Sequence, residues 1–307
     1  MRAPEYTGLR GAASVWVLVS HVLLFAGVVL GAGLYIVTRS YIAVEIFFGL
    51  SVFLLLRSLD ANSDKRRYFL RRVKRIWPIY FGTCILGFLL FDRDIATFAE
   101  NASFIGVYLP GAMVGPYWIL WSLQIEEVMY LSFPWIHSLS PSRQIHVAGA
   151  LIGVSFISGV ISYAPFGAIS TYIAVNVHQL PLIWLGSYGA GIFAYRGMSA
   201  NLPLSVGLSS ISAFPQIPFV LTVILSFPLV LALLSHPPKL LSRKVATTAG
   251  DNSYSMYATQ LLWFDAFGWL GAFGVLITSP IVERMAQHPL SIVKPLRANV
   301  KKEVFGA

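Results

Sequence analysis

The stretch Trp118–Pro134, WILWSLQIEEVMYLSFP, sets two adjacent carboxylates, Glu126 and Glu127, in a run otherwise apolar enough to enter a bilayer. An ionisable side chain at the centre of a membrane helix costs at least about 2.5 kcal/mol, so it calls for a partner, a water-filled cavity or a chemical role. The rest of the chain is of the same kind. Of its 307 residues 56% are hydrophobic and only 11% charged, with a mean hydropathy of +0.71. A soluble domain carries about 25% charged residues. The composition predicts an all-α, polytopic transmembrane helix bundle with about 8–10 spans. One integral domain over 1–285 and a basic tail over 286–307 account for the whole length.

Apolar runs place candidate spans at 8–34, 41–58, 76–91, 116–139, 147–163, 171–195, 217–235 and 253–279. The runs 103–115 and 202–213 are short enough for half-helices or loop helices. The run from Gly11 to Leu34 is too long for a signal-peptide core and reads as an uncleaved first helix. The net charge of +9 reflects topology rather than nucleic acid, because basic residues collect in cytoplasmic loops. Lys65, Arg66, Arg67, Arg71, Arg72, Lys74 and Arg75 form such a loop after the second span, which puts the N-terminus in the cytoplasm too. Arg284, Lys294, Arg297, Lys301 and Lys302 want the same side. Either the span count shifts by one around 202–213, or the run 253–279 is not one plain crossing.

Polar residues inside these runs carry the chemistry. Arg10 and His21 lie eleven residues apart, within about 20° of three full helical turns, so they share a face about 16 Å apart. On a span of 8–34 His21 falls near the midplane, where it is either a functional imidazole or a hydrogen-bonded packing residue. Arg10 serves phosphate recognition or snorkels to headgroups. Glu126 and Glu127 point about 100° apart, so one site takes only one of them. Glu126, about 15 Å from Pro116, shares its face with Tyr130 and is the expected partner of His21; the alternative is a structural glutamate bonded to a neighbouring helix. A carboxylate that orients a histidine is a standard way to build a base. Arg72 and Arg75, three apart at a span entrance, suit bidentate phosphate contacts, although topology alone explains their charge. His178 rivals His21, and Glu127, Tyr130 and Gln260 are secondary candidates. Cys84 is the lone cysteine, so it allows no internal disulfide and no cysteine zinc site. The sequence contains no metal-ligand spacing, glycine-rich phosphate loop or nucleophile elbow.

Six segments in order carry a resemblance: LRGAASVWVLVSH (Leu9–His21), VEIFFGLSVFLL (Val44–Leu55), YFLRRVKRIWPIY (Tyr68–Tyr80), WSLQIEEVMYLSFP (Trp121–Pro134), QLPLIWLGSYGAG (Gln179–Gly191) and DNSYSMYATQ (Asp251–Gln260). Together the chain resembles acyltransferase family 3, bacterial integral membrane enzymes that O-acylate surface and secreted polysaccharides. The resemblance implies that His21 is essential to acyl transfer, that Glu126 is functional, and that Arg72 and Arg75 are too. It implies a multi-pass protein of the bacterial inner membrane, with acyl-coenzyme A (expected to be acetyl-coenzyme A) as donor, no metal, and a carbohydrate or lipid-linked sugar as acceptor. Four positions depart from the family pattern, the first being Val52, which stands where a glycine follows the Leu-Ser pair. Gln260 stands where a second histidine is common, and Gln179 and Leu182 stand in place of an arginine and a glutamate. Two other readings fit the same residues: a proton-coupled transporter with His21 and Glu126 as relay, and an inactive family member that serves as an assembly partner.

Overall fold

The computed structural model describes residues 3–28, 37, 39–91, 93–109, 113–163, 181–211 and 219–287. Among these residues the secondary structure is helical, with no strand. Helix α1 spans Pro4–Phe25, with Pro4 at its first position, where the missing N–H costs nothing. Helices α2 (Tyr41–Ala61) and α3 (Lys65–Leu90) follow, then a short α4 (Ile95–Ala102). A 3₁₀ segment Gly115–Leu120 leads into α5 (Trp121–Ser138), which turns into α6 (Pro141–Tyr163). The later helices are α7 (Leu185–Tyr195), α8 (Leu202–Ile211), α9 (Phe219–Ser235), α10 (Lys244–Asp251), α11 (Ser253–Phe267) and α12 (Gly271–Gln287). Five helical stretches are long and apolar enough to cross a membrane: α1, α2, α3, residues 141–161 and residues 253–286. The chain is a multi-pass membrane protein.

Helix α2 is the centre of the bundle. Two-thirds of it or more is buried, and it packs on α1, α5, α7 and α9. Small residues let its neighbours approach closely, the usual device where lipid offers no hydrophobic drive for helix association. The Cβ of any residue replacing Gly8 would lie 1.7 Å from the Leu241 carbonyl oxygen, and one replacing Gly250 would lie 1.8 Å from that of Thr7. Those two glycines lock α1 against the Lys239–Asp251 region. The same end of the bundle holds a polar tie: Asp60 accepts hydrogen bonds from Tyr195 (2.7 Å) and pairs with His137 (3.0 Å), joining the ends of α2, α5 and α7.

Three expected spans take a different form. Helix α1 stops at Phe25 rather than running to 34. Gly27 adopts φ = 69°, the Val28 N–H donates to the Leu23 carbonyl and the Gly27 N–H to that of Leu24, a glycine-terminated helix stop. The basic run after α2 is not a loop but the first turns of α3. Asp64 caps that helix by accepting from the Arg67 N–H, and lysine and arginine are good helix formers. The run 253–279 is not one crossing but a helical hairpin, reversed at Gly268 (φ = 57°). Ser255 donates to the Ser279 carbonyl (2.9 Å) and the Trp263 indole to the Thr278 hydroxyl (3.0 Å), so α11 and α12 run antiparallel. The hairpin returns Arg284 to the face from which Ser253 departs. The short run at 202–213 begins as α8, which packs along α9.

Candidate active site

Helices α1, α2, α3, α5 and α11 enclose a cavity of about 60 Å³. Arg10 of α1 and Arg72 and Arg75 of α3 all line it, although 62 residues separate the first two along the chain. Their convergence follows from local geometry. Arg72 and Arg75 are three apart on one face of a regular helix, and the buried stripe of α1 continues through Leu9, Ala13 and Val17 to His21. Facing the guanidinium groups is Glu126, whose Oε1 accepts hydrogen bonds from the Ser51 and Tyr130 hydroxyls. Arg72 also lies 5.3 Å over the Tyr130 ring, a cation–π contact. Three cations against one carboxylate leave the cavity net positive, so it suits a polyanion.

A layer of hydroxyls closes the cavity one turn further along α5. Ser122 and Tyr257 share a buried hydrogen bond of 2.6 Å. The next turn holds His21. Its ring lies 5.9 Å from that of Trp118 and 6.2 Å from that of Phe264, centroid to centroid. Its Nδ1 pairs with Gln260 Oε1 at 3.0 Å. The early stop of α1 sets this imidazole one turn from the helix end opposite Arg10, rather than at the middle of a longer span.

The expected pairing of His21 with Glu126 is therefore replaced. His21 sits beside Trp118, which lies in the 3₁₀ segment that precedes α5, eight residues before Glu126, and its hydrogen-bond partner is Gln260. Residues 115–120, expected as part of the same span as Glu126, form a 3₁₀ helix ahead of α5.

The acyltransferase domain family matches residues 4–283. The chain belongs to acyltransferase family 3. Relatives agree with that placement. A protein of the Acidianus two-tailed virus named as an acetyltransferase, ORF330, is 33% identical over 87% of this chain and 85% of its own. Acyltransferase MdmB of Streptomyces mycarofaciens is 29% identical over 52% of this chain and 47% of its own. Nodulation protein 10 of Rhizobium leguminosarum bv. viciae is 25% identical over 78% of this chain and 76% of its own. No solved structure matches. The protein is an integral membrane O-acyltransferase.

In this acyltransferase the remaining candidates separate. Tyr130 joins the cavity as a donor to Glu126, whereas Glu127 points away from it and accepts a 3.4 Å hydrogen bond from the Trp77 indole. His178 and Gln179 lie outside the described residues. Leu182, half exposed, begins a 3₁₀ turn, Pro181–Trp184, and does not line the cavity. Glu45 is fully buried and accepts from Ser226 of α9, so it ties two helices together. Among the described residues no group of three or more metal-ligating side chains comes together. Ser122 and Tyr257 are members of the site that sequence reasoning did not single out. A signal existed: Ser122, Glu126 and Tyr130 recur every four residues, and Tyr254, Tyr257 and Gln260 every three, each set on one helix face.

Proposed function

We propose that this acyltransferase moves an acyl group, acetyl in the simplest case, from cytoplasmic acyl-coenzyme A to a sugar hydroxyl of a cell-surface or exported polysaccharide. The observation that carries the reading is the convergence of Arg10, Arg72 and Arg75 on one cavity, with His21 on the same face of α1 about 16 Å further on. That separation is of the order of an extended pantetheine arm. The arginines would hold the phosphates of the coenzyme by charge-assisted hydrogen bonds, and the thioester would lie beyond Ser122 and Tyr257, beside His21.

There the imidazole acts as general base. The sugar hydroxyl oxygen attacks the thioester carbonyl while its proton passes to the imidazole. The carbon–sulfur bond then breaks, and the proton goes on to the departing thiolate. Such a base contributes about 10² to 10⁴ in rate. The arginine-lined end shares its face with the basic first turns of α3, which supports a cytoplasmic N-terminus in a bacterial inner membrane.

The test is mass spectrometry of host surface glycans with the wild-type gene, with His21→Ala and with no gene. The expected result is one acyl mass unit present only with wild type, while His21→Ala still accumulates in the membrane. Full glycan acylation by His21→Ala would end the proposal.

A further inference from the structure

The position that departs from the family pattern, Gln260, is the hydrogen-bond partner of His21. The two residues lie 239 positions apart, on α1 and α11. An imidazole that accepts a proton at one nitrogen must carry its own proton on the other, so the partner of Nδ1 decides which nitrogen is free to react. A glutamine side chain offers either an acceptor oxygen or a donor NH₂ to that nitrogen, and only its second contact tells which.

Here the second contact is informative. The Gln260 amide nitrogen donates to the Tyr257 carbonyl oxygen at 3.2 Å. Turning the amide over would set two acceptor oxygens against each other. The amide oxygen therefore faces His21, and Nδ1 must carry the hydrogen. The Tyr257 carbonyl accepts nothing from the imidazole itself; it acts through the amide. Around the ring the other close neighbours are Trp118 and Phe264, neither of which titrates. Among the described residues the imidazole has no hydrogen bond or ring contact to a second titratable side chain. Among the described residues Nε2 has no hydrogen-bond partner.

We infer that Gln260 is a positioning residue which, itself oriented by the Tyr257 carbonyl, holds His21 as the Nδ1–H tautomer and leaves Nε2 as the nitrogen that takes the acceptor's proton. The inference rests on the reading of His21 as a base for its role in turnover, but not for the tautomer. A neutral amide does what a carboxylate does in hydrolytic triads, orienting the ring, without adding a negative charge to a dry, aromatic end of the site. Tyr257 thereby acts twice, since its hydroxyl closes the cavity through Ser122 and its carbonyl aligns the amide.

The test reads the tautomer directly. Full-length protein labelled with ¹⁵N-histidine, in lipid nanodiscs, gives ring-nitrogen signals for six histidines. Subtracting the spectrum of His21→Ala leaves those of His21. The expected wild-type spectrum has a protonated Nδ1 and an unprotonated Nε2 at neutral pH. Gln260→Leu moves the proton to Nε2, the form free histidine side chains favour. It also lowers acetyl-coenzyme A turnover on host membranes by about tenfold or more, with acetyl-coenzyme A affinity unchanged. Gln260→Glu, which also presents an oxygen to Nδ1, keeps Nδ1 protonated. A residue that merely packs would alter stability without changing the nitrogen signals. A wild-type spectrum with the proton on Nε2 would overturn the inference, and so would unchanged signals in Gln260→Leu; the wild-type spectrum decides even if that variant fails to fold. If Nδ1 is protonated as stated but His21→Ala still acylates glycans, the functional reading falls and the tautomer assignment stands.

Discussion

At one end of α1, Arg10 shares a cavity with two more arginines, a carboxylate and several hydroxyls; eleven residues on, His21 touches one amide and two aromatic rings. The first environment is cationic and open enough to hold about 60 Å³ of space. The second is aromatic and, among the described residues, shows no second charge beside the ring. Binding a polyanion needs several charges, each partly hydrated. Moving one proton needs a single group in a fixed orientation, shielded from water. A single helix face thus presents two chemistries, separated by the Ser122–Tyr257 pair. The difference teaches that substitutions at the two ends should fail in different ways.

The largest effect expected at the cavity end comes from reversing two charges. Arg72→Glu with Arg75→Glu should raise the dissociation constant for acetyl-coenzyme A by at least about 100-fold at low salt. The basis is the loss of two charge-assisted hydrogen bonds at roughly 1.5 kcal/mol each or more. The loss should shrink toward 1 M salt, where the Debye length falls to about 3 Å. Titration calorimetry or filter binding across a salt series checks it. Both side chains are half-buried at the cavity, so retention of the fold is checked by circular dichroism and by accumulation in the membrane. An unchanged dissociation constant would assign these arginines to topology alone and dissolve the contrast between the ends.

A smaller effect, with a more pointed sign, is expected from Glu126→Gln. The glutamine oxygen still accepts the hydrogen bonds from Ser51 and Tyr130, so the side chain stays in place while its charge goes. With one fewer anion facing the arginines, acetyl-coenzyme A should bind a few-fold tighter. Turnover should fall by less than tenfold, because Glu126 makes no contact with His21. A collapse of turnover to the level of His21→Ala would show instead that the carboxylate acts at the reacting groups.

How much of this was legible can be read from the same residues. The eleven-residue spacing of Arg10 and His21 and the three-residue spacing of Arg72 and Arg75 translate directly into shared helix faces, because helical geometry is local. Local geometry also contained signals that hydropathy masked. Gly27 stops α1 in the middle of an apolar run, and Gly268 bends the last run back on itself, with Gly271 and Gly274 giving the closest approach to Trp263. An apolar average passes over such points, since the residues around them are as lipid-soluble as those in the helices. Tyr130, four residues from Glu126, was legible as its neighbour; the partners that His21 and Glu126 find on other helices were not. Gln260 and Ser51 come from other helices, 239 and 75 residues away, and nothing in one strand of sequence states which helices will touch. A charged candidate was assigned to the histidine where the fold supplies a neutral one.

The smallest effect concerns the boundary between the ends. Tyr257→Phe removes the hydroxyl that shares a 2.6 Å hydrogen bond with Ser122, and keeps the ring against Phe47, 6.2 Å away centroid to centroid. One buried hydrogen bond is worth about 1 kcal/mol net. The Ser122 hydroxyl can turn back to a carbonyl of its own helix, which holds the cost to the low end of that range. Thermal unfolding in detergent should therefore come down by about 1–3 °C, given the shallow dependence of Tm on stability in a chain of this size. The backbone carbonyl that aligns Gln260 is untouched, so the His21 tautomer should survive. Turnover should stay within a few-fold of wild type if the pair only partitions the site. A loss of more than tenfold, with the melting temperature hardly moved, would place the Tyr257 hydroxyl among the groups that meet the thioester, and the two ends would then be one continuous catalytic surface.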